Sequence, residues 1–252
     1  MILVTVAVIT HASVLGLKGT LPYAEFVMGE AIPYTLLIDN HGATTFMVDD
    51  FGEGQDNKVE LRMRKRHGDI LDSKAGMPFG EILVIPDKMR TYQADLIQWF
   101  DLTLGTYQVQ AVVTRGEVVV ATPLLEFAIV PGLEIGTLRR AVPGYDTMTR
   151  DYTLLYWPRQ EQEILFLRVT EHPSGMTRML QLGNVVRAMD PKVEFTDKGT
   201  LIVTHQTSQN VFIKTTIISE RFRFEVLNRE RIVRPQENPA VPTSTDGKKK
   251  KK

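Results

Sequence analysis

Five histidines, His11, His41, His67, His172 and His205, are the side chains of this chain best suited to moving protons or holding a metal. Their spacing contains neither an i, i+4 helical pair nor a neighbouring carboxylate at metal-ligand distance in sequence, so no metal site and no cofactor is assigned. His205 is the most interesting of them. Thr204-His205-Gln206-Thr207 ends a strand-like run, and Asp190 and Glu194 belong to the adjoining one, which makes a hydrolase centred on His205 the enzymatic reading. Against it, strand alternation sends such residues outward into water, where nothing tunes a pKa, and no catalytic residue is assigned. No Gly-x-Ser-x-Gly elbow occurs, and Gly52-Glu53-Gly54 lacks the remaining glycine and the basic residue of a phosphate loop. Asp49, Asp50, Glu53 and Asp56 form an oxygen-rich loop whose order is not that of an EF-hand; it reads as a calcium loop or as a solvated acidic one.

Chemistry of recognition is better represented than chemistry of reaction. Arg62, Arg64 and Arg66 share one face of an alternating strand, next to Lys65 and His67, and make a basic stripe. Such a stripe suits an anionic polymer of the cell envelope, or it is the wet outer face that a half-buried sheet needs. Trp99 and Trp157, with Phe100, Tyr152 and Tyr156, are a carbohydrate platform if exposed and packing residues if not. Candidate binding residues are therefore Arg62, Arg64, Arg66, Trp99, Trp157 and His205.

Composition narrows the classes of function. There is no cysteine, which removes disulfides, thiolate metal sites and a cysteine nucleophile together. Formal charge is zero over 252 residues, but five lysines at the C-terminus offset a remainder with 25 basic against 30 acidic residues. A specific nucleic-acid binder would carry a basic domain instead. Ile2 to Ile9 is an apolar run of signal-peptide length followed by small residues, without a basic n-region; residues 1–19 are read as a signal peptide or an N-terminal strand, and export to the periplasm or outside the cell is expected. Nothing else approaches the roughly 20 apolar residues of a membrane span.

The elements that would position these residues are strands. Eight β-type segments run from Tyr23 to Val130, among them Thr91 to Trp99 and Val118 to Val130, the clearest being the one in which Val59, Leu61 and Met63 face inward while Glu60, Arg62 and Arg64 face out. Gly68 to Gly80 reads as a long loop, and Pro131-Gly132 closes this region. Residues 133–150 read as a connector, and residues 151–235 as a second, smaller antiparallel β domain of about seven strands. Residues 236–252 contain too little apolar surface to offset ordering and are expected to be a disordered lysine-rich tail.

Leu104-Gly105-Thr106-Tyr107 places a tyrosine at the start of a strand after a glycine, and with Phe26 to Ile32 and Ile38 to Gly42 it resembles the opening strands and tyrosine corner of bacterial exported immunoglobulin-like domains over residues 20–132. That resemblance implies a sandwich in which Gly105 and Tyr107 are structural, acting by binding or spacing. Pro191 to Val203 resembles part of β-propeller blades, although the 85 residues from 151 to 235 are too few for a closed propeller of at least about 160. The expectation is an all-β, two-domain, non-enzymatic exported module whose partner is a protein or cell-envelope polymer. Envelope carbohydrate binding by exposed aromatics, protease inhibition by the Gly68 to Gly80 loop, and the His205 hydrolase are the alternatives.

Overall fold

A computed structural model describes residues 14–49, 57–142, 145–196, 199–219 and 224–234. The apolar N-terminal run, the acidic loop beyond Asp49 and the lysine-rich tail lie outside the described residues. The chain divides into two compact units, Met1–Leu182 and Gly183–Lys252. In chain order the first contains β1 (Leu15–Thr20), β2 (Glu25–Val27), β3 (Pro33–Asn40), β4 (Phe46–Val48), β5 (Asn57–Lys65), β6 (Ile70–Leu71), β7 (Ile82–Val84), β8 (Lys88–Asp95), the short helix α1 (Leu96–Trp99), β9 (Gly105–Arg115), β10 (Val118–Ala121), β11 (Leu125–Val130), β12 (Leu133–Val142), β13 (Tyr145–Arg159), β14 (Gln162–His172) and β15 (Thr177–Val185), whose end crosses into the second unit. The second holds β16 (Lys192–Phe195), β17 (Leu201–Ser208), β18 (Val211–Ser219) and β19 (Phe224–Val233).

The first unit opens as a sandwich. One sheet has the order β1-β3-β8, the other β2-β11-β9-β5-β6 with β10 added to β9, and β4 pairs β7. Alternation decides which residues meet between them: Tyr34, Leu36 and Ile38 of β3 point inward, as do Leu61 and Met63 of β5, Tyr107 and Val109 of β9 and Phe127 and Ile129 of β11, and all belong to one buried core. Asn40 is buried at the end of β3 and satisfied: its Nδ2 donates to the carbonyls of Thr44 and Val84, and its Oδ1 accepts from Gly42 N–H at 3.0 Å.

Three segments depart from the sequence reading for local reasons. The strand expected to reach Trp99 stops at Asp95, whose carboxylate accepts the N–H groups of Ile32 and Ile97 and caps α1. The single run Val118 to Val130 is two strands, because Pro123 has no N–H for a ladder and Thr122 turns its hydroxyl inward to accept Ala111 N–H at 3.0 Å. The connector expected over residues 133–150 is instead β12 and the start of β13, paired from Val142↔Tyr145 with only Pro143-Gly144 between them.

Strands β12-β13-β14-β15 form an antiparallel meander. It is joined to the sandwich inside the first unit by a small apolar cluster of Val27, Leu155, Ile164 and Phe166, with Val130, Trp157 and Met179 packed against it. The second unit is another meander, β16-β17-β18-β19. The compact division thus falls after Leu182, with the β12–β15 sheet on the sandwich's side of it.

Candidate functional site

The basic stripe exists as geometry but not as free charge. Arg62, Arg64 and Arg66 lie on the outer face of β5 and just beyond its end, where Arg62 Nη2 donates to Glu60 at 3.2 Å, Arg64 Nε to Gln108 Oε1 at 2.8 Å and Arg66 Nη1 to Glu126 at 3.2 Å. Gln108 completes the row by donating to the other oxygen of Glu126. Lys58, which also bonds Glu60, and then Arg62 hold that carboxyl below its usual range. The antiparallel register β5-β9-β11 brings in Gln108 and Glu126, which lie 44 and 60 residues from their arginine partners and carry no signal in the strand's own sequence.

His205 is inside, contrary to the expectation that alternation would send it outward. It shares the buried face of β17 with Leu201 and Val203, is 1 % exposed, and neither ring nitrogen finds a hydrogen-bond partner among the described residues. Burial is the first cause that lowers its pKa to about 4, with the Arg229 charge adding to it and the nearby Asn184 backbone opposing. Glu194 pairs with Ile202, so it lies on the opposite face of the sheet, and Asp190 is exposed in the segment before β16. The carboxylate–His205 pair that the hydrolase reading needs is therefore not assembled.

A different histidine gains the carboxylate that the sequence did not offer it. Register Thr149↔His172 places Asp151 two residues along the same face, and His172 Nε2 lies 3.0 Å from Asp151 Oδ2. Arg139 reaches the same carboxylate with Nε at 2.5 Å and Nη2 at 2.7 Å. Arg139 first, and then His172, hold the Asp151 carboxyl down at about 2, so the stabilisation it contributes is present above the unfolded carboxyl value and lost only as pH falls through about 2. Ser174 Oγ turns to Glu171 at 3.2 Å rather than to His172, so the cluster consists of the Asp151 carboxylate held between Arg139 and His172. His41 also has a carboxylate, Asp39 at 3.2 Å. Among the described residues no group of three or more His, Asp or Glu is placed to hold a metal.

The aromatics do not form an exposed row. Phe100, Tyr152 and Tyr156 are buried; Trp99 packs on the sandwich core and Trp157 on the separate Val27–Phe166 cluster. The Gly68 to Gly80 loop is tied down as well: Phe79 enters the core, Lys74 N–H donates to Trp99 O at 2.9 Å, and a Cβ on Gly76 would fall 3.0 Å from the Trp99 ring. Tyr107 bridges its own turn, its hydroxyl accepting from Thr103 N–H at 2.9 Å and donating to Thr103 O at 2.7 Å, with Gly105 between them at φ +143°. An open groove of about 270 Å³ is lined by Ile32, Ile97, Phe100, Leu102 and Ile129 together with Asp101 and Thr103.

Sequence reasoning missed the edge of the second sheet. β12 is the terminal strand of its sheet, ten residues long, and Leu133 to Arg139 are exposed throughout, with Leu133 at 51 %, Ile135 at 37 % and Leu138 at 42 %. The alternating apolar residues of 133–142 were the available signal, hidden by reading Pro143-Gly144 as part of a connector.

No family model matches the chain, and none of the curated proteins does. Among solved structures the chain is similar to the crystal structure of Spo0M, sporulation control protein, from Bacillus subtilis, at 9% identity over 68% of this chain and 91% of that one, with a TM-score of 0.32. A likeness of that size carries no argument about function.

Proposed function

We propose that this protein is a non-enzymatic binding module and that the outer edge of β12 is the element through which it binds an extended polypeptide. One observation carries the reading: among the described residues β12 is a ten-residue terminal strand whose exposed stretch Leu133 to Arg139 holds three large apolar side chains and two charges, Glu134 and Arg139. An edge strand presents backbone N–H and C=O groups that a second strand can pair with, and flanking apolar side chains add burial to that pairing. Three other edges are blunted in ways natural sheets use against pairing. β6 is two residues long, the β7 edge is closed by the Tyr92 hydroxyl on Leu83 N and O, and the exposed run Leu227-Asn228-Arg229-Glu230-Arg231 of β19 carries three charges.

A photocrosslinking side chain placed at position 138, with one at position 62 as comparison, tests this in the protein's native extract. Polypeptide adducts from position 138 that vanish in a Thr137→Pro background are expected. Adducts from position 62 alone, or adducts at 138 that survive Thr137→Pro, would overturn the reading.

A further inference from the structure

We infer that the strand that adds to β12 is β12 of a second copy of this chain, in a two-fold antiparallel pair centred on Thr137; this rests on the reading of β12 as the contact. The argument is one of faces and register. Glu134 partners Leu155 and Gly136 partners Leu154, so Ile135 is the extra residue of a bulge. With that residue set aside, Glu134, Thr137 and Arg139 lie on the face of Asp151 and Thr153, while Leu133, Gly136 and Leu138 lie on the face of Tyr152, Leu154 and Tyr156. A two-fold axis normal to the sheet keeps each face on its own side, which allows only registers that pair like faces.

The register centred on Thr137 sets Glu134 of each copy opposite Arg139 of the other, so the polar face gains two cross-strand ion pairs. Each already has a partner within its own chain, Arg168 at 3.3 Å for Glu134 and Asp151 for Arg139, and the two side chains, 54% and 65% exposed, can take a second one across the pair. On the apolar face the same register lays each Leu138 over Gly136 of the other copy, where a Cβ would meet nothing within 4 Å. Centring on Gly136 or Leu138 instead sets neither charge opposite one of opposite sign in the other copy. Side-chain complementarity, apolar fit and symmetry thus select one register.

Sedimentation equilibrium on the full chain tests it. Wild type is expected to be a dimer that dissociates on dilution. Glu134→Arg and Arg139→Glu, each with unchanged circular dichroism, are expected to weaken self-association by roughly tenfold or more by setting like charges opposite each other. An equimolar mixture of the two variants is expected to recover the dimer, because each supplies the charges the other lacks. A wild type monomeric at every concentration, or a dimer indifferent to both substitutions, would overturn the inference. Crosslinks from position 138 then distinguish the two levels: adducts of twice the chain mass support self-pairing, adducts to a foreign polypeptide overturn self-pairing but keep β12 as the contact, and no β12-dependent adduct overturns both.

Discussion

His205 shows what burying an imidazole does to a fold. Its folded pKa is about 4 against an ordinary 6.5, so between those values the unfolded chain binds the extra proton and the native state does not. Stability is expected to be full above pH 6.5 and to fall as pH drops toward 4, by at most about 1.4 kcal/mol per pH unit from this residue. Urea titrations across that range should show the slope in wild type and a flatter one in His205→Leu; parallel slopes would contradict it. Tyr107 carries the second expectation at this scale. Its buried hydroxyl bonds both backbone groups of Thr103, so Tyr107→Phe should lower unfolding free energy by about 1 kcal/mol in a denaturant titration, with little change in m-value. The residue types at both positions were legible from the sequence, but their surroundings were not equally so. Thr103 lies four residues from Tyr107 and is local, whereas the face of β17 that becomes buried is decided by what covers it.

At the scale of elements, the turn after β2 is the joint between the sandwich and the β12–β15 sheet within the first unit. Glu30 leaves that turn inward, accepts Val27 N–H at 3.0 Å and pairs with Arg159 of β13, and both ions are buried. The Arg159 guanidinium also lies 4.0 Å from the Tyr23 ring centroid. Removing one member strands a charge in a low-dielectric site, so Arg159→Met alone is expected to cost about 3–5 kcal/mol. The double substitution Glu30→Leu with Arg159→Met should cost less than the sum of the single ones, and additivity in a double-mutant cycle would contradict coupling. Nothing in either segment's sequence pairs residues 129 positions apart. Alternation within β3 and β5 was readable because it repeats every two residues; this contact depends on how one sheet meets another.

For the molecule as a whole, the composition of the C-terminal segment carries a prediction. Residues 236–252 hold Val241 as their one large apolar side chain and end in five lysines, so truncation after Arg234 is expected to leave the calorimetric Tm unchanged within about 1 °C, since surface changes are mostly small. A drop of several degrees would show that the segment packs on the body. The sequence by itself determined that this is an all-β chain, where most strands begin and end, and that Gly105 and Tyr107 shape a turn, because period-two alternation and turn chemistry act over a few residues. Tertiary structure alone decided that Arg64 and Arg66 are paired with Gln108 and Glu126, that His172 and not His205 meets a carboxylate, and that β12 ends its sheet among the described residues. The physical reason is that a strand's sequence states which residues share a face. Register across strands and the stacking of sheets, set by contacts tens of residues apart, decide which face is covered and who stands opposite.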